Sequence, residues 1–112
     1  MDLSAALAHV EGDLQLLAEL AAMFLQDYPR FLKEARESIL GNDHSTLERE
    51  AHTLKGRLAF FGINRLREKA LNLEMMGRNH DLTQALQALA EIEIEMESIL
   101  PEFESIAREQ KA

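Results

Sequence analysis

The sequence predicts an all-α protein, an antiparallel up-down-up-down four-helix bundle with a short extra N-terminal helix. Three observations carry this. Apolar residues recur at alternating steps of three and four through long stretches of the chain. The breaks between those stretches are short and built from Gly, Asn and Asp. The one segment that alternates like a strand has no partner strand elsewhere.

Residues 3–9 form the short helix, carrying Leu3, Ala6 and Leu7, and the turn-like Glu11-Gly12-Asp13 closes it. Asp13 then caps a long helix over residues 13–40, in which Leu14, Leu17, Ala21, Phe24, Tyr28, Phe31 and Ala35 form the seam of a bundle helix. Pro29 removes the donor for the Leu25 carbonyl, so a bend is expected there, with the seam continuing on both sides. Gly41-Asn42-Asp43 ends this helix.

The third helix is predicted over residues 45–61, with Ser45 as N-cap, Glu48 at the capping-box position and Gly62 as its stop. Asn64 caps a fourth over 64–77, holding Leu66, Ala70, Leu73 and Met76 and ending at Gly77. A fifth over 81–108 aligns Leu82, Ala85, Leu89, Ile92, Met96, Ile99, Phe103 and Ile106. Glu91 to Glu97 alternates acidic and apolar residues within it, but the helical stripe runs through that segment. Pro101 is expected to kink or fray the last turns. No repeat and no linker divides residues 1–112, and a chain of this length buries one core, so it reads as a single domain.

Within the third helix the string AHTLKGRLAFFG, residues 51–62, is the most informative feature. At about 100° per residue, with His52 at zero, Leu47, Ala51, Leu54, Leu58 and Phe61 fall between roughly 180° and 260°. That arc is the buried stripe. Lys55, Gly56, Glu48 and Ala59 lie within about 60° of the histidine, so the imidazole points into water beside a cation and a gap in side-chain cover. Gly56 is diagnostic, because a glycine inside a helix costs about 0.5–1 kcal/mol relative to alanine and sits here opposite the core. An exposed histidine alone would mean little. His9, His44 and His80, near helix ends and without such neighbours, read as surface residues.

With 46% hydrophobic and 29% charged residues the chain falls among globular proteins, and no cysteine is present for disulfides, thiol catalysis or thiolate zinc sites. No apolar run reaches the ~20 residues of a membrane span, and no basic, hydrophobic leader precedes the first helix, which predicts a cytosolic setting. The net charge of −8 argues against nucleic acid and anionic membranes as partners. Against that background Arg49, Lys55, Arg57, Arg65, Arg67 and Lys69 cluster between residues 49 and 69 with only Glu50 and Glu68 among them. Such a patch is either a solvated basic helix face or a place where an anion, such as a phosphoryl group or an acidic protein site, is handled. Glu48 and His52 stand at i and i+4, but two ligands without a third make a poor metal site, so no metal is expected.

AHTLKG followed by an FG pair, then LRxxALxLE from Leu66 to Glu74 and the helix-ending Gly77, resembles the histidine phosphotransfer (HPt) domains of two-component phosphorelays. The similarity continues upstream through EGDLQLLAEL, FLQDYP and the Gly41–Asp43 turn, and so covers nearly the whole chain. It implies a phosphocarrier that shuttles a phosphoryl group between receiver-domain aspartates, with His52 phosphorylated and Lys55 and Gly56 as companion residues. Glu48, Arg49, Arg57, Ala59 and Phe60 would contact the receivers, which are expected to belong to a hybrid sensor kinase and a downstream response regulator. Any magnesium would sit on the receiver and no cofactor on this chain. Two positions depart from the pattern: Arg57 and Phe60 stand where small, or small or polar, residues are more usual. Arg57 is expected along the bundle edge with its guanidinium in solvent. Phe60 is either an exposed contact for a receiver or packed against the fourth helix.

The chemistry agrees with that implication. An acyl phosphate is electrophilic at phosphorus, a neutral imidazole attacks it in line without a general base, and a free imidazole, with a pKa of about 6.5, is largely neutral at cytosolic pH. Lys55 would neutralise phosphoryl charge. Without a glycine-rich phosphate loop or a nucleotide-binding sheet, the chain is not expected to phosphorylate itself from ATP. Two other readings remain: a helical module that binds receivers without transfer, and the histidine-bearing substrate region of a larger chemotaxis-type or hybrid sensor kinase, the cytoplasmic part of a membrane-attached protein. A bundle closed by four helices shows no apolar surplus, which favours a monomer.

Overall fold

A computed structural model describes residues 1–109. It contains α1 (Leu3–His9), α2 (Leu14–Leu40), α3 (His44–Phe60), α4 (Asn64–Arg78) and α5 (Ala85–Arg108), with no strand among the described residues. The predicted all-α class is therefore found. α2 packs against α3 and α5, α4 packs against α3 and α5, and α1 lies across α2 and α3, which closes a four-helix ring.

The predicted seams are the ones buried. Leu17, Ala21, Phe24, Tyr28, Phe31 and Ala35 of α2 meet Leu47, Ala51, Leu54 and Leu58 of α3, Leu66, Ala70 and Leu73 of α4, and Ala85, Leu89, Ile92, Met96 and Phe103 of α5. Leu14, expected in the seam, is exposed, because it opens α2 beyond the reach of its neighbours. Aromatic rings lock one end of the bundle: Phe24 stacks on Phe103 with centroids 4.2 Å apart, and Phe61 meets Phe103 edge-on at 4.8 Å. α2 and α5 run unbroken through Pro29 and Pro101.

Four helix starts and stops differ from the sequence expectation. The cap of α3 is Asp43 rather than Ser45, its carboxylate accepting from the Thr46 amide at 3.2 Å and the Thr46 hydroxyl at 2.7 Å. Glu48 is thereby free of any capping role and bonds Arg78 instead. Asn64 is the first residue of α4, whose N-cap is Ile63 with no side-chain cap bond. Gly77 is buried inside α4, and the chain leaves that helix at Asn79 and His80, the latter at φ 56. Asp81 turns back on Thr83, its carboxylate accepting from the amide at 3.2 Å and the hydroxyl at 2.6 Å, so α5 starts at Ala85 rather than near residue 81.

α1 is tied to the end of α3. The Asp2 amide donates to the Phe61 carbonyl at 3.0 Å, and Gly62, at φ +69, lets Asp2 approach so closely that a Cβ would lie 2.5 Å from the aspartate's own. His9 completes the attachment, with Nδ1 3.1 Å from the Phe60 carbonyl and its ring 4.9 Å from that of Phe60. His9 and His80 are exposed as expected, whereas His44 is half-buried at the start of α3 and stacks on His80 at 4.3 Å.

Candidate functional site

His52 sits midway along α3. Because Ala51, Leu54 and Leu58 are anchored in the core, the helix cannot roll, and the His52 side chain is left 66% exposed. Beyond exposure, the ring is oriented: His52 Nδ1 lies 2.9 Å from Oε2 of Glu74 on α4, a residue whose side chain is only 2% exposed. A glycine makes this reach possible. At Gly77, one turn after Glu74, a Cβ would fall 2.8 Å from the Glu48 amide nitrogen and 2.9 Å from the His44 carbonyl oxygen, so α4 can lie this close to α3 only without a side chain there.

Glu74 is the centre of a cation cluster. Lys55 Nζ stands 2.7 Å from Oε1 and Arg78 Nη2 3.3 Å from Oε2, while Arg78 Nε also bonds Glu48 at 2.9 Å. Burial on its own would raise the Glu74 carboxyl, but hydrogen bonds and charge from Lys55 and His52 outweigh it and hold the group below its ordinary value. It is therefore ionised at neutral pH. A carboxylate only accepts, so the His52 nitrogen facing it is the one that carries hydrogen, and the lone pair of the neutral ring is on Nε2, on the open side.

Gly56, one turn beyond His52, offers open space: a Cβ built there meets no heavy atom within 4 Å. His52 and Gly56 border a groove of about 550 Å³ whose other walls are largely apolar, with Leu20, Met23, Phe24, Phe60 and Phe61 contributing. On the opposite side His52 borders a second recess of about 450 Å³, lined by Ser45, Glu48, Arg49, Glu74 and Arg78. The histidine is thus the ridge between an apolar and a charged depression. The groove is also an apolar surplus that the seam pattern does not reveal, and Met23 on its wall is 54% exposed.

The remaining residues singled out by sequence are placed as follows. Ala59 and Arg49 are exposed on the histidine side, and Glu48 is half-buried under Arg78. Arg57 does lie at the bundle edge, 41% exposed, but its guanidinium is held by Asp27 of α2 rather than left to solvent, and that hydrogen bond keeps the Asp27 carboxyl below its ordinary value. Phe60 is half-buried: it packs on His9 of α1 and lends one face to the groove. The basic cluster is mostly neutralised, since Lys55, Arg57, Arg65 and Lys69 all have carboxylate partners. Among the described residues no three His, Cys, Asp or Glu side chains converge on a metal position.

Sequence reasoning gave no role to Glu74 or Arg78. The available signal was an acid at the edge of the buried stripe of α4, with glycine three residues on, where a solvated glutamate needs no such companion.

Comparison with curated proteins and with solved structures finds no match. A family model does match: the one described as Hpt domain covers residues 19–102, which include the histidine, its glutamate and the glycine between the helices. The chain belongs to the Hpt domain family, and so has a histidine phosphotransfer role in two-component phosphorelays as a phosphocarrier and not a kinase.

Proposed function

We propose that His52 accepts a phosphoryl group from the phosphoaspartate of one receiver domain and passes it to the aspartate of another. The observation that carries this reading is the 2.9 Å contact between His52 Nδ1 and a buried, ionised Glu74, which leaves Nε2 free on the exposed side. In the forward step the Nε2 lone pair forms the N–P bond as the P–O bond to the donor aspartate breaks and leaves a carboxylate. No proton has to move. The ring keeps its Nδ1 hydrogen and becomes a phosphorylated imidazolium, whose positive charge faces the Glu74 carboxylate. When a second aspartate attacks, its carboxylate forms a P–O bond as the N–P bond breaks, and the ring leaves as neutral imidazole with its Nδ1 hydrogen in place, again without a proton transfer.

Lys55 contributes positive charge one turn from the histidine, and Gly56 leaves the approach open for the receiver and the magnesium ion that we assign to the receiver. Glu48, Arg49, Arg57, Ala59 and Phe60 form the rim of the docking face, and the apolar groove extends it across Met23 and Leu20. None of the helices among the described residues is long and apolar enough to cross a membrane. We place the domain in the cytoplasm, as a monomer whose apolar groove is covered by a receiver rather than by a second copy.

The test is to mix the chain with a receiver domain phosphorylated with radiolabelled acetyl phosphate. Acid-labile, alkali-stable label should appear on the wild type and be lost in His52→Gln. Binding without label in the wild type would make the chain a passive receiver-binding module. Label gained from a kinase but never from a receiver would make it a kinase substrate region.

A further inference from the structure

We infer that Arg49, rather than Lys55, is the cation that contacts the phosphoryl oxygens during transfer; this rests on the phosphocarrier reading of His52. Lys55 is committed elsewhere. Among the described residues its ammonium, at 2.7 Å, is the one partner of Glu74 Oε1, an oxygen with no access to water and no other hydrogen-bond donor. Swinging Lys55 towards an incoming phosphate would strand a charged oxygen in the protein interior, which is more costly than any comparable rearrangement at the surface. Arg78 is likewise held, by Glu48 and Glu74 together.

Arg49 has no such commitment. It precedes His52 by three residues, which puts it on the same helix face, and it is exposed in the charged recess that His52 borders. Among the described residues it makes no ion pair; its charge is felt across space by Asp43, whose carboxylate is occupied capping α3, and Glu48 in the same recess is paired with Arg78. Its planar, permanently charged fork suits two oxygens of a phosphoryl group. As the N–P bond forms at Nε2 and the P–O bond to the receiver's aspartate breaks, the guanidinium would carry the spreading negative charge. Glu74 meanwhile balances the ring.

The experiment compares wild type, Arg49→Gln and Arg49→Lys in the labelling assay with the phosphorylated receiver, over a range of receiver concentrations. Arg49→Gln should lower the saturating transfer rate roughly tenfold or more, with a smaller change in half-saturating concentration. Arg49→Lys should recover most of the rate. Thermal midpoints should nearly coincide, since among the described residues the Arg49 side chain makes no hydrogen bond or ion pair and acts on Asp43 only across space. A saturating rate unchanged in Arg49→Gln overturns the assignment, as does a loss confined to half-saturation, which would make Arg49 a docking contact only. Absence of label on the wild type would refute the phosphocarrier reading itself, and this assignment with it.

Discussion

Two glycine-to-alanine substitutions near His52, one in α3 and one in α4, should move stability in opposite directions. At Gly56 the added methyl finds open space, so only the helix term acts, and Gly56→Ala should gain about 0.5–1 kcal/mol. At Gly77 the same methyl would lie 2.8 Å, 2.9 Å and 3.1 Å from three backbone atoms of α3, where ordinary contact begins at 3.4 Å. Backbone cannot swing aside as a side-chain tip can, so the two helices must separate by about half an ångström. Overpacking of this kind costs about 1–3 kcal/mol. The helix-propensity gain of about 1 kcal/mol offsets part of it, leaving a net loss of up to about 2 kcal/mol. For a chain of this size a change of 1 kcal/mol moves the melting midpoint by roughly 4 °C, so Gly77→Ala should melt lower than wild type by up to about 8 °C and Gly56→Ala about 2–4 °C higher. The assay is thermal unfolding by circular dichroism, checked by urea midpoints. The separation should also stretch the His52–Glu74 contact from 2.9 Å towards the limit of a hydrogen bond and slow transfer. Equal midpoints for the two variants, or a Gly77→Ala more stable than wild type, would refute the close-approach reasoning.

Further expectations concern the charges and the groove. Glu74→Gln keeps an acceptor for Nδ1 but removes the charge facing the imidazolium, and phosphotransfer should fall about tenfold in a stopped-flow or labelling assay. Because the Glu74 carboxyl titrates below its ordinary 4.5, its stabilising effect is complete above about pH 4.5 and is lost as pH falls through the lower folded value; acid unfolding followed by circular dichroism should therefore be shallower in Glu74→Gln than in wild type. Asp43→Ala removes the side-chain cap of α3 and should cost about 1 kcal/mol in urea denaturation, whereas Ser45→Ala should cost far less. Met23→Glu, on the exposed wall of the groove, should weaken receiver binding in titration calorimetry while changing the melting midpoint little; unaltered binding would remove the groove from the docking face.

Local pattern explains why so much of the architecture was legible. The seams of α2 and α5 run for many turns, so the helical period is sampled often enough to override the strand-like alternation from Glu91 to Glu97 and the prolines at 29 and 101. His52, Lys55 and Gly56 were legible for a related reason: all three lie within five residues on one helix, where angular position follows from counting. Helix ends were less so, since Asp43 competes with Ser45 and Asp81 with Gln84 for the same turn, and only backbone geometry decides between them.

The sequence by itself determined five helices, their buried faces and the outward direction of His52, because each depends on residues close along the chain. Only the tertiary structure decided what surrounds that ring. Glu74, Arg78 and the groove wall at Leu20 and Met23 come from other helices, 22 or more residues away, and their meeting depends on how closely α4 can approach α3 at Gly77 and on how α1 holds Phe60. Spacing along one helix carries no information about the distance between two, which side-chain volumes at their crossing set.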